Sequence, residues 1–77
     1  MKVIVQLKGN LQWYEKEKRR EIVMEEQDLT PEKIIDQLNI PRNQIQLILV
    51  NDTRIIDDKL VLNENDVVKI IPVIEGG

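Results

Sequence analysis

Residues 28–41, DLTPEKIIDQLNIP, form the one stretch of the chain with a helical pattern. Apolar residues recur at positions 31, 34, 35 and 38, a spacing that places them on one side of an α-helix. Thr30 is suited to cap the first turn, Pro31 suits the first helical position, and Glu32 complements the positive end of the helix dipole. Asn39 and Pro41 end the helix after about three turns, so we expect it to lie across a sheet rather than to be stable alone.

Strand patterns flank this helix on both sides. Before it, apolar and polar residues alternate over residues 1–8 and 21–25, which predicts a hairpin with a long connection. After it, residues 46–50, 54–56 and 67–71 are predicted strands, separated by Asn- and Asp-rich turns. This order is typical of an α+β domain with its helix on one face of a sheet, and among known arrangements it fits the ubiquitin-like β-grasp. We predict a single β-grasp domain over residues 1–77, with a mixed sheet of four to five strands and a flexible tail at residues 73–77.

The composition of the 77-residue chain argues against an enzyme. The chain contains no Cys, no His and no Ser, which removes disulfides, thiolate metal ligands and the usual pairs of nucleophile and base. A chain of this size builds one small core and has little left over to enclose a substrate. We therefore predict a protein that is not an enzyme and that binds neither a metal ion nor a cofactor.

The charges and apolar runs also narrow the class of partner. The chain has 11 basic and 14 acidic residues, whereas nucleic-acid-binding domains normally have a concentrated basic face. The basic run at residues 16–20 is interrupted by acidic residues, and the longest apolar run, Ile70–Ile74, is too short to span a membrane and contains Pro72. The first residues show no signal-peptide pattern. We expect a cytoplasmic protein that binds neither nucleic acid nor membranes.

The chain ends in Gly76-Gly77, shortly after the last predicted strand. A residue without a Cβ can enter a narrow channel and adopt dihedral angles closed to other residues. Residues 73–77 can extend over at most about 17 Å, enough to carry the terminal carboxylate into the active site of another protein. That carboxylate is ionised near neutral pH and is a poor electrophile, so a separate enzyme has to activate it.

Over nearly its whole length the chain resembles the ThiS/MoaD family of ubiquitin-like sulfur carriers. The matching stretches are the opening strand Lys2–Leu7, the sequence LVN at residues 49–51, and LNENDVVKIIPV at residues 62–73, with Gly-Gly at the end. Asn65 stands where family members typically have Gly, and Asp52 stands where they often have Gly. We interpret these as mild departures, because Asn is the residue that best replaces Gly at positive φ.

The resemblance implies a mechanism and a set of partners. An E1-like adenylyltransferase would use ATP to adenylate Gly77, and a sulfur donor enzyme would supply the sulfur that converts it to a thiocarboxylate. The acceptor would be the large subunit of molybdopterin synthase or the thiazole synthase of thiamine biosynthesis. Gly76, Glu75, Ile74 and Val73 would thread into these active sites. The long connection between the first two strands favours the molybdopterin or tungstopterin pathway.

The last predicted strand is apolar on both faces, which indicates a docking surface. Positions 68 and 70 are predicted to point inward, so that Val67 and Ile71 point outward. Together with Ile48 and Pro72 they form a candidate surface for docking to the activating enzyme and the synthase. The alternative is that Ile48 and Ile71 are covered, either by the first hairpin connection or by a second layer over the sheet.

The first hairpin connection contains Trp13 and Tyr14, the only aromatic residues of the chain. They are either an anchor for a partner, since such residues are enriched at binding hot spots, or a pair folded back over the edge of the sheet. The second interpretation is slightly favoured. The charged run at residues 15–21 is predicted to be solvated, with no carboxylate distinguished from the others.

Two other functions are compatible with the sequence. One is a ubiquitin-like modifier that is conjugated through Gly77 to lysine side chains of other proteins. The other is a β-grasp interaction module in which the terminal Gly-Gly has no role. A thiocarboxylate would identify the sulfur carrier, isopeptide-linked conjugates would identify the modifier, and function retained after removal of the diglycine would identify the module.

Overall fold

The computed structural model describes residues 1–74 and confirms the predicted α+β class. The predictions made for Glu75, Gly76 and Gly77 lie outside the described residues. The described chain contains five strands and one α-helix, with two short 3₁₀ helices in the connections. These elements are β1 (Lys2–Leu7), the 3₁₀ helix Gly9–Tyr14, β2 (Glu21–Glu25), α1 (Pro31–Gln37), the 3₁₀ helix Arg42–Gln44, β3 (Ile45–Val50), β4 (Thr53–Ile55) and β5 (Val67–Pro72).

The five strands form one mixed sheet in the order β2-β1-β5-β3-β4. β5 is parallel to β1 and antiparallel to β3, while the outer pairs β1–β2 and β3–β4 are antiparallel. The last strand therefore lies at the centre of the sheet, bonded on both sides. The prediction of a mixed sheet of four to five strands, with one helix across one face, is confirmed, and the number of strands is five.

The helix begins where the sequence predicts and is shorter than predicted. Thr30 caps it, because its side-chain oxygen accepts a hydrogen bond from the backbone N–H of Lys33 at 3.1 Å, and Pro31 occupies the first turn. Asn39, two residues after the end, has a φ of 57°, a conformation that Asn tolerates better than most residues. The helix thus stops after about two turns rather than the predicted three, because Gln37 is its last residue.

The core lies between α1 and one face of the sheet. Leu62, in the irregular connection between β4 and β5, is buried, and its backbone N–H donates to the Leu29 carbonyl at 2.8 Å. The opposite face carries half-exposed and exposed side chains, and we call it the open face. The buried apolar cluster consists of Val3, Val5, Leu7, Leu11, Ile22, Met24, Leu29, Ile34, Ile35, Ile40, Ile48, Leu62, Val68 and Ile70.

Candidate functional site

The C-terminal segment leaves the fold as a continuation of the central strand. The last residue of β5, Pro72, pairs with Ile45 of β3, and the next backbone N–H, of Val73, donates to the carbonyl of Gln44 at 2.9 Å. Ile74 is then 84% exposed. The chain is therefore held to the sheet as far as Val73 and reaches solvent one residue later.

The beginning of the first hairpin connection packs directly on this exit point. The backbone N–H of Lys8 donates to Ile70 at 3.1 Å, and Gly9 lies against the ring of Pro72. A Cβ added at Gly9 would stand 2.7 Å from the Pro72 Cγ, and the φ of Gly9 is +56°. Both the space and the backbone conformation therefore require glycine there. Pro72, predicted as part of the docking surface, is half-buried in this contact.

The opposite end of β5 is fixed by a polar clamp between Asn51 and Asp66. The Asp66 carboxylate is 8% exposed and accepts from the Asn51 side-chain amide and from the Asn63 backbone N–H, each at 2.8 Å. The side-chain oxygen of Asn51 accepts a hydrogen bond from the backbone N–H of Val67 at 2.9 Å. The backbone N–H of Asn51 donates to the Val67 carbonyl at 2.8 Å. These bonds close the start of β5 onto the end of β3.

The turn residues beside the clamp adopt the conformations expected from the sequence. Asn51 and Asp52 both have positive φ, of 51° and 67°, which is the requirement of the two-residue hairpin turn that joins β3 to β4. Asn65, where the family typically has Gly, has a φ of 67°. The departures from Gly at these positions are thus compatible with the fold. The sequence around Asp66 predicts only a turn, and no local signal indicates its role in the clamp.

The open face of the sheet contains an apolar surface centred on β5. Val68 and Ile70 are fully buried, so the alternation places Val67 and Ile71 on the open face, as predicted. Ile4 pairs with Val67 and also with Val23, which is 57% exposed. We define the apolar surface of the open face by six side chains: Ile4, Val23, Leu47, Leu49, Val67 and Ile71.

The prediction that Ile48 points outward is wrong. Ile48 is 7% exposed and is paired with the buried Ile70, so both side chains enter the core. Its neighbours Leu47 and Leu49 pair with Ile71 and Lys69 and lie on the open face instead. The β3 sequence is apolar at four successive positions, so it has no alternation of apolar and polar residues that would show which side chains point inward. Only the pairing with β5 decides this.

Lys69 lies on the same open face and carries an ion pair. Its Nζ is 2.6 Å from a carboxylate oxygen of Asp52, which lies in the β3–β4 turn. The hydrogen bond from Lys69, with its charge, holds the pKa of the Asp52 carboxyl below its ordinary value. The Asp52 side chain is 76% exposed, so solvent screens the pair, and we attribute to it orientation of the lysine rather than stability.

The aromatic pair of the first connection does not fold back over the sheet as favoured above. Trp13 is 60% exposed and Tyr14 is 38% exposed, whereas Leu11 is completely buried. In the 3₁₀ helix, which has three residues per turn, Trp13 lies on a different side from Leu11, whereas Tyr14, three residues after Leu11, lies on the same side and is the less exposed of the two. The interpretation as an anchor for a partner is therefore the one that the geometry favours.

Glu15 overturns the prediction of a uniformly solvated charged run. Its side chain is 2% exposed and forms an ion pair with Arg19 at 2.7 Å. It also accepts the backbone N–H groups of Glu17 and Arg19, each at 2.8 Å. The hydrogen bonds from Arg19, first from its side chain and then from its backbone, lower the pKa of Glu15 to about 2. The spacing of four between Glu15 and Arg19 was the only sequence signal for this contact.

Neither a metal centre nor a membrane helix is found in the described part of the chain. Within residues 1–74, no group of three or more acidic side chains is arranged to hold a metal ion. No helix in the same range has the length and apolar character needed to cross a bilayer. The candidate site consists of three parts that the contacts above describe: the exit of the chain at Val73, the loop that packs on it, and the open face of the sheet.

The fold and this site define a ubiquitin-like β-grasp protein in which the end of the central strand, rather than a pocket, leads to the candidate functional group. A family model matches residues 5–77, and the chain belongs to the ThiS family. No match is found among curated protein sequences.

A solved structure shares the fold over the full length of the chain. It is a chain from the protein–protein complex of subunits 1 and 2 of the molybdopterin-converting factor from Helicobacter pylori 26695. The two chains align over 100% of each, with a TM-score of 0.67 and 24% sequence identity. This similarity confirms the predicted β-grasp.

Proposed function

We propose that this protein is a sulfur carrier whose reactive group is the carboxylate of Gly77. The observation that carries the proposal is the match to the ThiS family, which extends through Gly77. The exit of the chain from the central strand supports it, because Ile74 is already in solvent one residue beyond the last bond to the sheet. A tail that begins there starts at the protein surface, where a second protein can reach it.

The chemistry requires that the Gly77 carboxylate first be activated. In the proposed reaction, a carboxylate oxygen attacks the α-phosphorus of ATP, which forms an acyl adenylate and releases pyrophosphate. Sulfide supplied by a donor enzyme then forms a bond to the acyl carbon and expels AMP, which leaves a thiocarboxylate. The carrier contributes the carboxylate and the reach of its tail, while an E1-like adenylyltransferase binds the ATP.

We propose two kinds of acceptor for the sulfur, the large subunit of molybdopterin synthase and the thiazole synthase of thiamine biosynthesis. The long connection between β1 and β2 favours the molybdopterin or tungstopterin pathway. The similar fold of a chain from the molybdopterin-converting factor complex supports a large-subunit partner. On this proposal the chain is a small carrier subunit and the catalytic residues belong to its partners.

The apolar surface of the open face is proposed to dock on these partners. Val67 and Ile71 lie on the strand that leads to the tail, so a partner that holds this surface also fixes the direction of the tail. Leu47 replaces Ile48 in this role, since Ile48 is in the core. Exposed apolar surface of this kind is characteristic of interaction sites.

Intact-mass measurement tests the proposal. The chain is incubated with ATP, its cognate adenylating enzyme and a sulfide source, beside a variant that lacks Gly77. We expect a mass change equal to the replacement of one oxygen by sulfur, present in the full chain and absent from the variant. If the full chain gains no sulfur while the same enzyme preparation modifies a known carrier, the proposal is wrong.

A second measurement separates this function from the two alternatives. Isopeptide-linked conjugates of the chain in cell extract, without a thiocarboxylate, would identify a protein modifier. If deletion of Gly76 and Gly77 leaves the cofactor-dependent growth of the source organism unchanged, the chain is an interaction module. The sulfur carrier predicts that this deletion abolishes such growth.

A further inference from the structure

We propose that the connection between β1 and β2, residues 8–20, is a second docking element that binds an acidic surface on the adenylating enzyme, beside the channel that receives the tail. We call it the basic loop. The inference rests on the proposed function and extends it, because it names a contact that the tail and the open face do not make. Four observations on the loop carry it: its position, its charge, its rigidity and its exposed aromatic side chains.

The position of the basic loop follows from its contacts with β5. Its first residues are bonded to the end of that strand, through the N–H of Lys8 and the packing of Gly9 on Pro72. Because β1 and β5 are parallel, the loop leaves β1 at the same end of the sheet from which the tail departs. A protein that takes in the tail therefore meets the basic loop at the rim of its channel.

The charge of the basic loop is opposite to that of the rest of the chain. Residues 8–20 contain five basic and two acidic residues, a formal charge of +3. The whole chain carries −3, so the other residues together carry −6. One of the two acidic residues, Glu15, is buried against Arg19 and does not face a partner. A complementary partner surface is consequently acidic.

The basic loop is ordered before any partner binds. Leu11 is buried in the core, and the Glu15 carboxylate accepts hydrogen bonds from Arg19 and from two backbone N–H groups. Lys18 Nζ donates to the Trp13 carbonyl at 2.9 Å, and the Arg20 guanidinium donates to Gln12 at 2.6 Å. A loop fixed in this way loses little conformational entropy on binding, which favours affinity.

Trp13 supplies the apolar contact within this charged element. It is 60% exposed although it is the largest side chain of the loop, and the exposed Tyr14 lies next to it. Exposed aromatic side chains on a rigid frame, surrounded by basic residues, are typical of binding hot spots. The chemistry of the loop thus fits a protein surface with an apolar recess and an acidic margin.

Binding of the chain to its purified cognate adenylating enzyme tests the proposal, by calorimetric titration in the presence of ATP. Trp13→Ala is expected to raise the dissociation constant by roughly tenfold or more. Lys16→Glu is expected to raise the dissociation constant by roughly three- to tenfold and to reduce the dependence of binding on salt concentration. Both side chains are exposed, so the thermal midpoint of each variant should match that of the wild type.

Matched controls lie outside the loop. Val61→Ala removes an apolar side chain of similar exposure, 56%, and Lys59→Glu makes the same change of charge at an exposed position. Both should bind the enzyme as the wild type does. Equal effects of the loop variants and these controls would overturn the proposal, since they would show a general effect of surface charge or apolar area.

The outcomes separate this inference from the proposed function. If the wild type binds and is adenylated, and Trp13→Ala and Lys16→Glu bind equally well, the basic loop has no such role and the sulfur-carrier proposal stands. If these variants lose affinity only for the synthase subunit, the proposal for the adenylating enzyme is wrong. If the wild type neither binds the enzyme nor is adenylated, both proposals fall together.

Discussion

Substitution of two neighbouring residues of β3 by Ala is expected to have opposite consequences. Ile48 enters the core beside Ile70, whereas Leu47 lies on the open face beside Ile71. Ile48→Ala therefore removes buried apolar contacts and leaves a cavity, while Leu47→Ala removes part of a surface that is already half in water. The two substitutions remove apolar side chains of the same size, and they differ only in the face of the sheet from which the side chain is removed.

The magnitudes follow from the burial of each side chain. Truncation of a buried Ile to Ala costs about 2–5 kcal/mol, and with 7% of Ile48 exposed we expect about 3 kcal/mol. For the half-exposed Leu47 we expect about 1 kcal/mol or less. A domain of this length has a free energy of unfolding of about 4–12 kcal/mol, so Ile48→Ala removes a large share of it. With a urea m-value of about 1 kcal/mol/M, its midpoint falls by about 3 M.

Urea unfolding followed by circular dichroism measures both changes, and titration with the adenylating enzyme measures binding. Leu47→Ala should unfold almost as the wild type does and should bind the enzyme more weakly, because it loses docking surface. Ile48→Ala should lose stability first, with binding affected in proportion to its unfolded fraction. Similar losses of stability in the two variants, or a larger loss in Leu47→Ala, would refute the assignment of faces.

Three further substitutions test the fixed points around β5 and the basic loop. Gly9→Ala should cost about 2 kcal/mol of unfolding free energy, because its Cβ would meet the Pro72 ring at 2.7 Å and a φ of +56° is strained for Ala. Asp66→Ala should cost about 3 kcal/mol, because it leaves buried donors, including the Asn51 amide, without an acceptor. Glu15→Gln should be less stable than the wild type at pH 7. That difference should shrink as the pH falls from about 4.5 towards 2, since the native carboxylate stays charged down to its pKa of about 2 and its contribution is then lost.

Each of these variants has a control nearby. Asn10→Ala changes the residue after Gly9 without adding a Cβ at a restricted position, and Glu64→Ala changes an exposed carboxylate in the same turn as Asp66. Glu17→Gln removes a carboxylate that is 65% exposed and 3.6 Å from Arg19, so it should leave the free energy of unfolding at pH 7 nearly unchanged. Losses as large in the controls as in the variants would contradict the structural assignments.

The parts of the fold that sequence could predict are those set by local interactions. The cap at Thr30, the stop at Asn39 and the apolar spacing within residues 31–38 lie within a few residues of one another, and the structure confirms them. The same holds for β5, where the only polar residue, Lys69, shares the open face with Val67 and Ile71 and leaves positions 68 and 70 to point inward. Such signals need no knowledge of which strand lies beside which.

The errors concern residues whose environment is set by distant parts of the chain. Ile48 lies in a continuous apolar run, and its direction depends on the register with β5 and on the irregularity between Ile45 and Leu47. Glu15 and Glu17 look alike in sequence, because both alternate with lysines. Only the turn that brings the Arg19 side chain and backbone onto one carboxylate distinguishes them. The burial and the partners of such residues are set by contacts that form only when the chain folds.

The central position of β5 has a mechanical consequence. The tail continues the strand that is bonded to β1 on one side and to β3 on the other. Tension applied to the tail along the strand is therefore shared by two ladders of hydrogen bonds, which must yield together. A strand at the edge of the sheet would bring only one ladder to bear. The sheet therefore resists a pull on the end of β5 better than it would resist the same pull on an edge strand, β2 or β4.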